Sequence, residues 1–281
     1  MSQGRGNSAF TKTMLVLGFV FLYAPIISLM VYSFNESKLV TVWAGFSTKW
    51  YGELFRDQQM MAAAWVSIRV AFWTACGSVV LGTLASLAMT RMRHFPGKTL
   101  FGALITAPLV MPEVIIGLSI LLLFVSIGPV IGIGEQRGML TIWIAHVTFC
   151  TAFVTVVISS RLSELDRSLE EAAMDLGANR VKVFFVITLP IIAPALISGW
   201  LLAFTLSLDD LVIASFVSGP SSTTLPMKVF SSVRLGLSPK INALATLMIV
   251  AVTIAAFIAW WLMRRDERRR QRDVQLALQK G

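Results

Sequence analysis

Six long apolar runs limit what this chain can fold into. The runs occupy about residues 14–34, 64–90, 100–126, 139–160, 191–217 and 242–263. An α-helix needs roughly 20 apolar residues to cross the hydrocarbon of a bilayer, so each run is long enough to span. Of the 281 residues, 56% are hydrophobic and only 14% are charged, whereas about 25% are charged in an average soluble domain. The sequence therefore predicts an all-α integral membrane protein with six transmembrane helices.

The basic residues indicate how the chain is oriented. If the amino terminus is cytoplasmic, the predicted cytoplasmic segments hold 16 Lys and Arg residues and the loops on the other side hold 7. Cytoplasmic segments of membrane proteins carry such an excess. We therefore expect a cytoplasmic tail at 1–13, a six-helix transmembrane domain at 14–263 and a cytoplasmic basic tail at 264–281.

The net charge of +9 does not point to nucleic acid. Seven of the 24 Lys and Arg residues lie in the last 18 positions, directly after the sixth apolar run. Basic residues at that place attract the anionic lipids of the cytoplasmic leaflet. We interpret the tail as an anchor to the lipid membrane and expect no nucleic acid partner.

A charged segment, residues 168–190, interrupts the apolar pattern between the fourth and fifth runs. Ser168 and Glu171 have the S-x-x-E spacing of a helix capping box. Residues at helical spacing follow on one face, namely Leu169, Ala172, Ala173 and Leu176. Gly177 then stands where a helix end accepts a left-handed residue. These features predict a short amphipathic helix that ends in a glycine turn.

A second short helix is expected after that turn. Asn179 can cap it, and its apolar side would carry Val181, Phe184, Phe185 and Thr188. Pro190 is expected to close the unit at the membrane. Periodicity alone fits equally well with an interfacial hairpin that only joins two spans.

The residue pattern of this segment resembles the EAA loop, E-A-A-x-x-x-G-x(9)-I-x-L-P, of permease subunits in ATP-binding-cassette importers. The seven matching positions are Glu171, Ala172, Ala173, Gly177, Ile187, Leu189 and Pro190. The resemblance implies the type I importer permease fold, with a coupling loop at 161–190 whose helix seats in a cleft of a separate ATPase subunit. The seven residues are therefore expected to couple the chain to that ATPase.

The chain is not expected to hydrolyse ATP itself. A phosphate-binding loop needs G-x-x-x-x-G-K-[ST], and the Gly97-Lys98-Thr99 sequence has Met92 where the first glycine should stand. No nucleophile–base pair, metal-ligand spacing or cofactor loop stands out elsewhere. We therefore expect no enzyme activity, no metal and no cofactor, with ATP used by the cytoplasmic ATPase dimer.

Three further stretches, at 35–57, 108–120 and 207–230, resemble the polyamine branch of these permeases, with the putrescine permease subunits the most similar. This resemblance implies a multi-pass protein of the cell inner membrane that receives its solute from a periplasmic binding protein. It also implies a homologous second permease subunit, which would make a heterodimer. Spermidine or another small solute stays open as an alternative. An ATP-independent carrier or channel also stays open, although no internal duplication is visible.

Three acidic residues lie inside the predicted spans, where such residues usually face a partner or a water-filled path. They are Glu113 in the third span and Asp209 and Asp210 in the fifth. Carboxylates suit a cationic solute and repel sulfate or phosphate. Adjacent residues of a helix point about 100° apart, so at most one aspartate points squarely into a path. The other could pair with a neighbouring helix or accept a backbone hydrogen bond, and a structural or gating role for all three stays open.

Several other side chains have simpler interpretations. The Trp43 ring could attract an ammonium group in the outer loop or belong to an interfacial aromatic belt, as expected for Trp50 and Tyr51. His146, in the fourth span, is expected to make a structural hydrogen bond. A stripe of small residues along the second span should allow close helix packing; its members are Ser78, Gly82, Ser86 and Thr90.

Overall fold

The structure is a computed structural model that describes residues 6–39, 42–92, 94–132, 137–236 and 238–254, together with residues 257, 261 and 264. Apart from one isolated bridge between Asn35 and Phe46, the regular structure in these ranges is helical. The helices are α1 (Gly6–Tyr32), α2 (Lys49–Arg56), α3 (Gln58–Arg91), α4 (Lys98–Val110), α5 (Glu113–Ile131), α6 (Met139–Glu164), α7 (Arg167–Asp175), α8 (Arg180–Val183), a π-helical turn (Phe184–Thr188), α9 (Leu189–Asp209), α10 (Val212–Val217), α11 (Leu225–Leu235) and α12 (Pro239–Ile254).

The predicted all-α membrane fold is confirmed. Within the described ranges, five helical stretches are long and apolar enough to cross a membrane, and α4 and α12 are shorter apolar helices. The sixth predicted span, 242–263, begins within α12. Most residues after 254 lie outside the described residues, and so does nearly all of the basic tail at 264–281. At the other end, α1 begins at Gly6, inside the tail predicted at 1–13.

The third and fifth spans, which we predicted as single helices, are each interrupted. Met111 and Pro112 separate α4 from α5, because a residue before proline is driven to extended backbone and Met111 has φ −85° and ψ 139°. Asp210 separates α9 from α10 with φ −64° and ψ 126°. Such breaks at membrane depth occur where the backbone is buried in protein or lines a water-filled cavity.

The chain divides into two compact units, Met1–Gln58 with Ser232–Gly281, and Gln59–Ser231. The second unit is built around α6, whose buried residues Ile142, Cys150 and Ile158 lie in its hydrophobic core. The stripe of small residues on α3 packs closely against another helix, as predicted, and the structure shows that this helix is α6. The Ser86 hydroxyl donates to the Thr155 carbonyl at 2.9 Å, and a Cβ at Gly82 would come within 2.8 Å of Val154.

In the first unit, a loop after α1 is organised around Asn35, whose side chain is buried. Its amide group donates to the Val42 carbonyl at 2.7 Å, and its oxygen accepts from the Ala44 amide at 2.9 Å. The Trp50 indole donates to the Asn35 carbonyl at 2.7 Å and is 3% exposed. The prediction that Trp50 belongs to an interfacial belt was wrong, because this hydrogen bond draws the ring into the loop.

Candidate functional site

The segment between α6 and α9 begins with helix α7, which is capped by a residue that we did not predict. Asp166 has extended backbone, and its carboxylate accepts a hydrogen bond from the Ser168 amide at 2.9 Å. The bonds from the amide and hydroxyl of Ser168 hold the pKa of the Asp166 carboxyl below its ordinary value. The predicted capping box of Ser168 and Glu171 was wrong, because Ser168 is already inside the helix.

The glycine turn after α7 was predicted correctly. Gly177 has φ +90°, and two hydrogen bonds close the helix end, from Gly177 to the Met174 carbonyl at 2.9 Å and from Ala178 to the Ala173 carbonyl at 3.1 Å. This pair is the Schellman arrangement, which leaves few free carbonyls. Asn179 then caps α8 by accepting from the Lys182 amide at 2.8 Å, as expected.

Pro190 does not close the unit, contrary to prediction. Arg180–Asp209 forms one helical stretch of 30 residues, in which α8 continues through the π-helical turn into α9. Proline lacks the amide that would bond four residues back. The chain passes this gap because the Leu189 amide bonds to the Phe184 carbonyl, five residues back. Pro190 thus stands at the beginning of α9 and not at the end of α8.

The predicted coupling residues lie on a partly uncovered surface. Glu171, Ala172, Gly177 and Pro190 are exposed, whereas Ala173, Ile187 and Leu189 are partly buried. Large apolar side chains beside them are also exposed, and Leu176 reaches 90% exposure. A cleft of about 620 Å³ is lined by α7, the end of α3, α8 and the π-helical turn, and Glu170, Glu171 and Phe185 are all on its walls.

The acidic residue with the most contacts in this region is Glu170, which sequence reasoning missed. Its carboxylate lies 3.0 Å from Nε of Arg91, the last residue of α3, and accepts from the Thr188 hydroxyl at 2.7 Å. The only signal in the sequence is its position beside Glu171. Neighbouring helical residues point about 100° apart, so one of two adjacent glutamates can face inward while the other faces out.

The intramembrane carboxylates gather where the two broken spans meet. Glu113 is exposed in the first turn of α5, and not in the middle of an unbroken helix as predicted. Helix α5 packs against α10 so closely that a Cβ at Gly117 would come within 2.7 Å of the Phe216 ring. The beginning of α5, which carries Glu113, therefore lies beside α10, which begins two residues after Asp210.

The two aspartates have different surroundings, as predicted. Asp210 is 9% exposed and accepts from the Ala214 amide at 2.8 Å and from His146 at 3.1 Å. Asp209, by contrast, is exposed at the end of α9. His146 is 1% exposed, and its other ring nitrogen lies 2.7 Å from the Ser207 hydroxyl. The expected structural hydrogen bond of His146 is thus present.

Trp43, the remaining candidate, lies in the first unit and its side chain is 49% exposed. Its ring makes an edge-to-face contact with the ring of Tyr32, with ring centres 6.3 Å apart. Among the described residues, no three His, Cys, Asp or Glu side chains are grouped in a way that could hold a metal ion.

Comparison with known sequences gives consistent matches along the chain. A family model described as "Binding-protein-dependent transport system inner membrane component" matches residues 78–272. The chain is 66% identical to the putrescine transport system permease protein PotI of Escherichia coli K12, over 96% of both chains. It is 40% identical to the spermidine/putrescine transport system permease protein PotC of Haemophilus influenzae, over 88% of this chain and 94% of the relative.

Solved structures with the same fold include a bacterial alginate ABC transporter in complex with an alginate pentasaccharide-bound periplasmic protein. That match has a TM-score of 0.70 at 15% identity, covering 89% of this chain and 91% of the other. A second structure, of a bacterial ABC transporter that imports alginate, matches with a TM-score of 0.66 at 18% identity, covering 94% and 99%. At these identities the likeness concerns the fold alone.

Proposed function

The chain belongs to the family of binding-protein-dependent transport system inner membrane components, and from this membership we propose that it is the permease subunit of an ATP-binding-cassette importer for putrescine. The observation that carries the proposal is the 66% identity to a putrescine permease over 96% of the chain. Identity to a spermidine/putrescine permease is lower, at 40%. Putrescine is therefore favoured over spermidine as the solute.

The chemistry of the broken spans supports a cationic solute. Glu113 and Asp209 both expose carboxylates, and putrescine carries an ammonium group at each end. Hydrogen bonds to charged groups contribute about 1.5–3 kcal/mol each, so two carboxylates can hold such a solute during passage. Asp210 is already occupied by His146 and the α10 backbone, and we assign it to the structure of the break. We propose separately that the exposed Trp43 ring attracts an ammonium group in the outer loop.

The exposed EAA positions support coupling to a separate ATPase dimer. Glu171 and Ala172 lie on the open side of α7, and the exposed side chains of Leu176 and Phe185 lie nearby. A contiguous exposed apolar surface commonly marks a protein interface. We propose that this surface seats in the ATPase, which supplies the energy for alternating access, so that this chain itself catalyses no reaction and needs no cofactor.

Two further partners complete the proposed importer. A periplasmic binding protein would deliver the solute, a role supported by the family description and by the periplasmic protein in the complex of a fold relative. A homologous second permease would form the other half of the path. We expect the two permeases to form a heterodimer.

The protein is a multi-pass inner membrane protein, and we propose that both termini face the cytoplasm. The support is the excess of basic residues, 16 on the proposed cytoplasmic side against 7 on the other. In this orientation α7 lies in the cytoplasm, where an ATPase can reach it. The break between α4 and α5 and that between α9 and α10 then lie within the membrane.

One observation favours a second candidate, an ATP-independent carrier. Paired broken helices near the middle of the membrane are typical of such carriers, and α4–α5 and α9–α10 are both broken. Family membership argues against it. The two candidates differ in one property, because a carrier would move solute without an ATPase subunit.

The test is uptake of labelled putrescine by cells with and without this gene, competed by excess spermidine or by sulfate. We expect uptake to fall on deletion, and uptake in the parent to be reduced by spermidine but not by sulfate. Unchanged uptake in cells that have no redundant transporter would contradict the proposed solute. Uptake that persists when the ATPase subunit is deleted would favour the carrier.

A further inference from the structure

Glu170 joins α7 to two membrane helices at once. One of its carboxylate oxygens lies 3.0 Å from Nε of Arg91, and the other accepts from Nη2 of the same residue at 3.2 Å. The same carboxylate accepts from the Thr188 hydroxyl at 2.7 Å. The Arg91 and Glu170 side chains are only 18% and 15% exposed, and Thr188 is 2% exposed. We call these three residues the Glu170 latch.

A second contact ties the beginning of α7 to the end of α3. The Arg167 guanidinium donates to the Thr90 carbonyl at 2.6 Å. The last four carbonyls of a helix have no partner within that helix, so this bond satisfies a carbonyl that would otherwise bond to water. The end of α3 thus holds α7 at two positions, Arg167 and Glu170, which lie about one turn apart on the short helix.

The other partner of Glu170 lies at a weak point in the backbone. Thr188 is the last residue of the π-helical turn, and Pro190, without an amide, follows two residues later. Single π-helical turns are found frequently at functional sites. A bond from Glu170 to Thr188 therefore joins α7 to a part of this helix that has two features at which helices commonly kink, a π-helical turn and a proline.

The fold of α7 is complete without Glu170. Asp166 caps its beginning, and the Schellman bonds at Gly177 close its end. The Glu170 latch does not cap either end of the short helix. What it adds is a connection from α7 to α3 and α9.

We propose that Glu170 is a positioning residue for transport, which makes α7, the end of α3 and the beginning of α9 move together when the ATPase displaces the coupling loop. The inference rests on the proposed function and goes beyond it by separating two adjacent glutamates. Glu171 is exposed and would contact the ATPase, whereas Glu170, beside it on the wall of the same cleft, bonds to Arg91 and Thr188 and transmits the displacement. Without Glu170, the loop would still bind the ATPase, but its movement would no longer be transmitted to α3 and α9.

The experiment uses the full complex with its second permease and ATPase in proteoliposomes, supplied with putrescine-loaded binding protein. The variants are Glu170→Gln, which removes the charge at nearly constant volume, and Thr188→Val, which removes only the hydroxyl bond. Glu164→Gln is the matched control, because Glu164 lies in the same loop, is exposed and, among the residues that the structure describes, pairs with the exposed Arg161 alone. Putrescine moved per ATP hydrolysed and the ATPase retained on purification are both measured.

We expect Glu170→Gln to lower the putrescine moved per ATP by about fivefold, the lower end of typical coupling between sites, with full retention of the ATPase. Thr188→Val should give a smaller loss, and Glu164→Gln none. Arg91→Glu combined with Glu170→Arg should restore part of the ratio, which a role in folding alone would not predict. An unchanged ratio in Glu170→Gln would overturn the proposal, and so would loss of the ATPase from that variant.

Failure of the proposed function gives a different result. The wild-type complex would then move no putrescine, whatever residue 170 is. In that case the proposed role of Glu170 is tested by a second measurement, the stimulation of ATP turnover by the binding protein. This stimulation also has to be transmitted through α7. Equal stimulation in Glu170→Gln and in the wild type would overturn the proposed role of Glu170.

Discussion

Asp210 accepts a hydrogen bond from Nε2 of His146 at 3.1 Å, while Asp209, its neighbour in sequence, is exposed at the end of α9. The carboxylate also accepts from the Ala214 amide at 2.8 Å. The other ring nitrogen of His146 lies 2.7 Å from the Ser207 hydroxyl. Asp210, His146 and Ser207 each have a hydrogen-bond partner in this network. We therefore interpret Asp210 as a residue that stabilises the helix break.

The first prediction concerns the stability that His146 supplies. His146→Leu keeps most of the volume but removes a donor from a buried carboxylate, so the free energy of unfolding should fall by about 1–3 kcal/mol. Ser207→Ala removes a single neutral bond, and intramembrane bonds of that kind contribute about 0.6 kcal/mol on average. Denaturant unfolding of the purified complex in mixed micelles measures both.

The control is His94→Leu, because His94 is the only other histidine of the chain and its side chain is exposed. Surface substitutions usually change the free energy of unfolding by less than about 0.5 kcal/mol. If His146→Leu cost no more than this control, the bond to Asp210 would have no part in stabilising the break.

The second prediction separates the solute carboxylates from the structural one. Asp209→Asn and Glu113→Gln should each lower the rate of putrescine uptake by about tenfold or more, the value of one hydrogen bond to a charged group. Since the binding protein captures the solute first, the loss should appear in the maximal rate and not in the external affinity. Uptake kinetics in cells, normalised to the amount of complex in the membrane, measure it.

For Asp210→Asn we expect a smaller amount of complex, with near-normal uptake per complex. Glu53→Gln is the matched control, because Glu53 is exposed on α2, outside the predicted spans. Full uptake by an Asp209→Asn, Glu113→Gln double variant would show that neither residue contacts the solute.

Features set by local chemistry were predictable from the sequence. The glycine turn at Gly177 and the cap at Asn179 depend on a few neighbouring residues, and both are present in the structure. Even here, local rules compete. Asp166 and Ser168 can each cap a helix, and the sequence does not state which of the two has the extended backbone that a cap requires.

Features set by distant contacts were not predictable in the same way. Pro112 was an available signal for the break before α5, because proline restricts the residue before it. The break at Asp210 has no proline, and its carboxylate is held by His146, 64 positions away. Glu170 likewise acquires its role from Arg91, 79 positions away. No periodicity within the coupling segment contains that information.

The third prediction follows from the Asp166 cap. The pKa of Asp166 is lower in the folded protein than its ordinary value of 3.8, mainly because of the bond from the Ser168 amide. A depressed folded pKa means that the cap contributes in full above about pH 4 and is lost as the pH falls through the folded value. Amide hydrogen exchange of residues 167–175 should therefore accelerate, relative to the rest of the chain, only below that range.

Two variants test whether Asp166 causes the expected loss of the cap at low pH. Asp166→Ala should show fast exchange in α7 at neutral pH, since the cap is gone at every pH. Asp166→Asn keeps a capping oxygen that does not titrate, so its exchange should be slow and lack the acid step. An acid step that persists in Asp166→Asn would assign the pH dependence to another group.

The fourth prediction tests the docking surface of α7. Glu171→Arg reverses the charge of an exposed motif residue, and Gly177→Asp adds both a side chain and strain at φ +90°. A left-handed backbone costs a non-glycine residue about 1–2 kcal/mol, which shifts the turn as well as crowding the surface. We expect both variants to lose ATPase subunits on purification and to lose ATP turnover that depends on transport.

The variant Gly132→Asp is a control that distinguishes the effect of backbone strain from the effect of a lost contact with the ATPase. Gly132 has φ +67° and no neighbouring atom within 4 Å of an added Cβ, so it carries similar strain at the end of α5, far along the chain from α7. This control should keep its ATPase, because proposed contacts with the ATPase involve only the coupling loop. If Gly177→Asp and Glu171→Arg kept their ATPase subunits and full turnover, α7 would not be the coupling helix. Equal loss in Gly132→Asp would instead attribute the effect to general destabilisation.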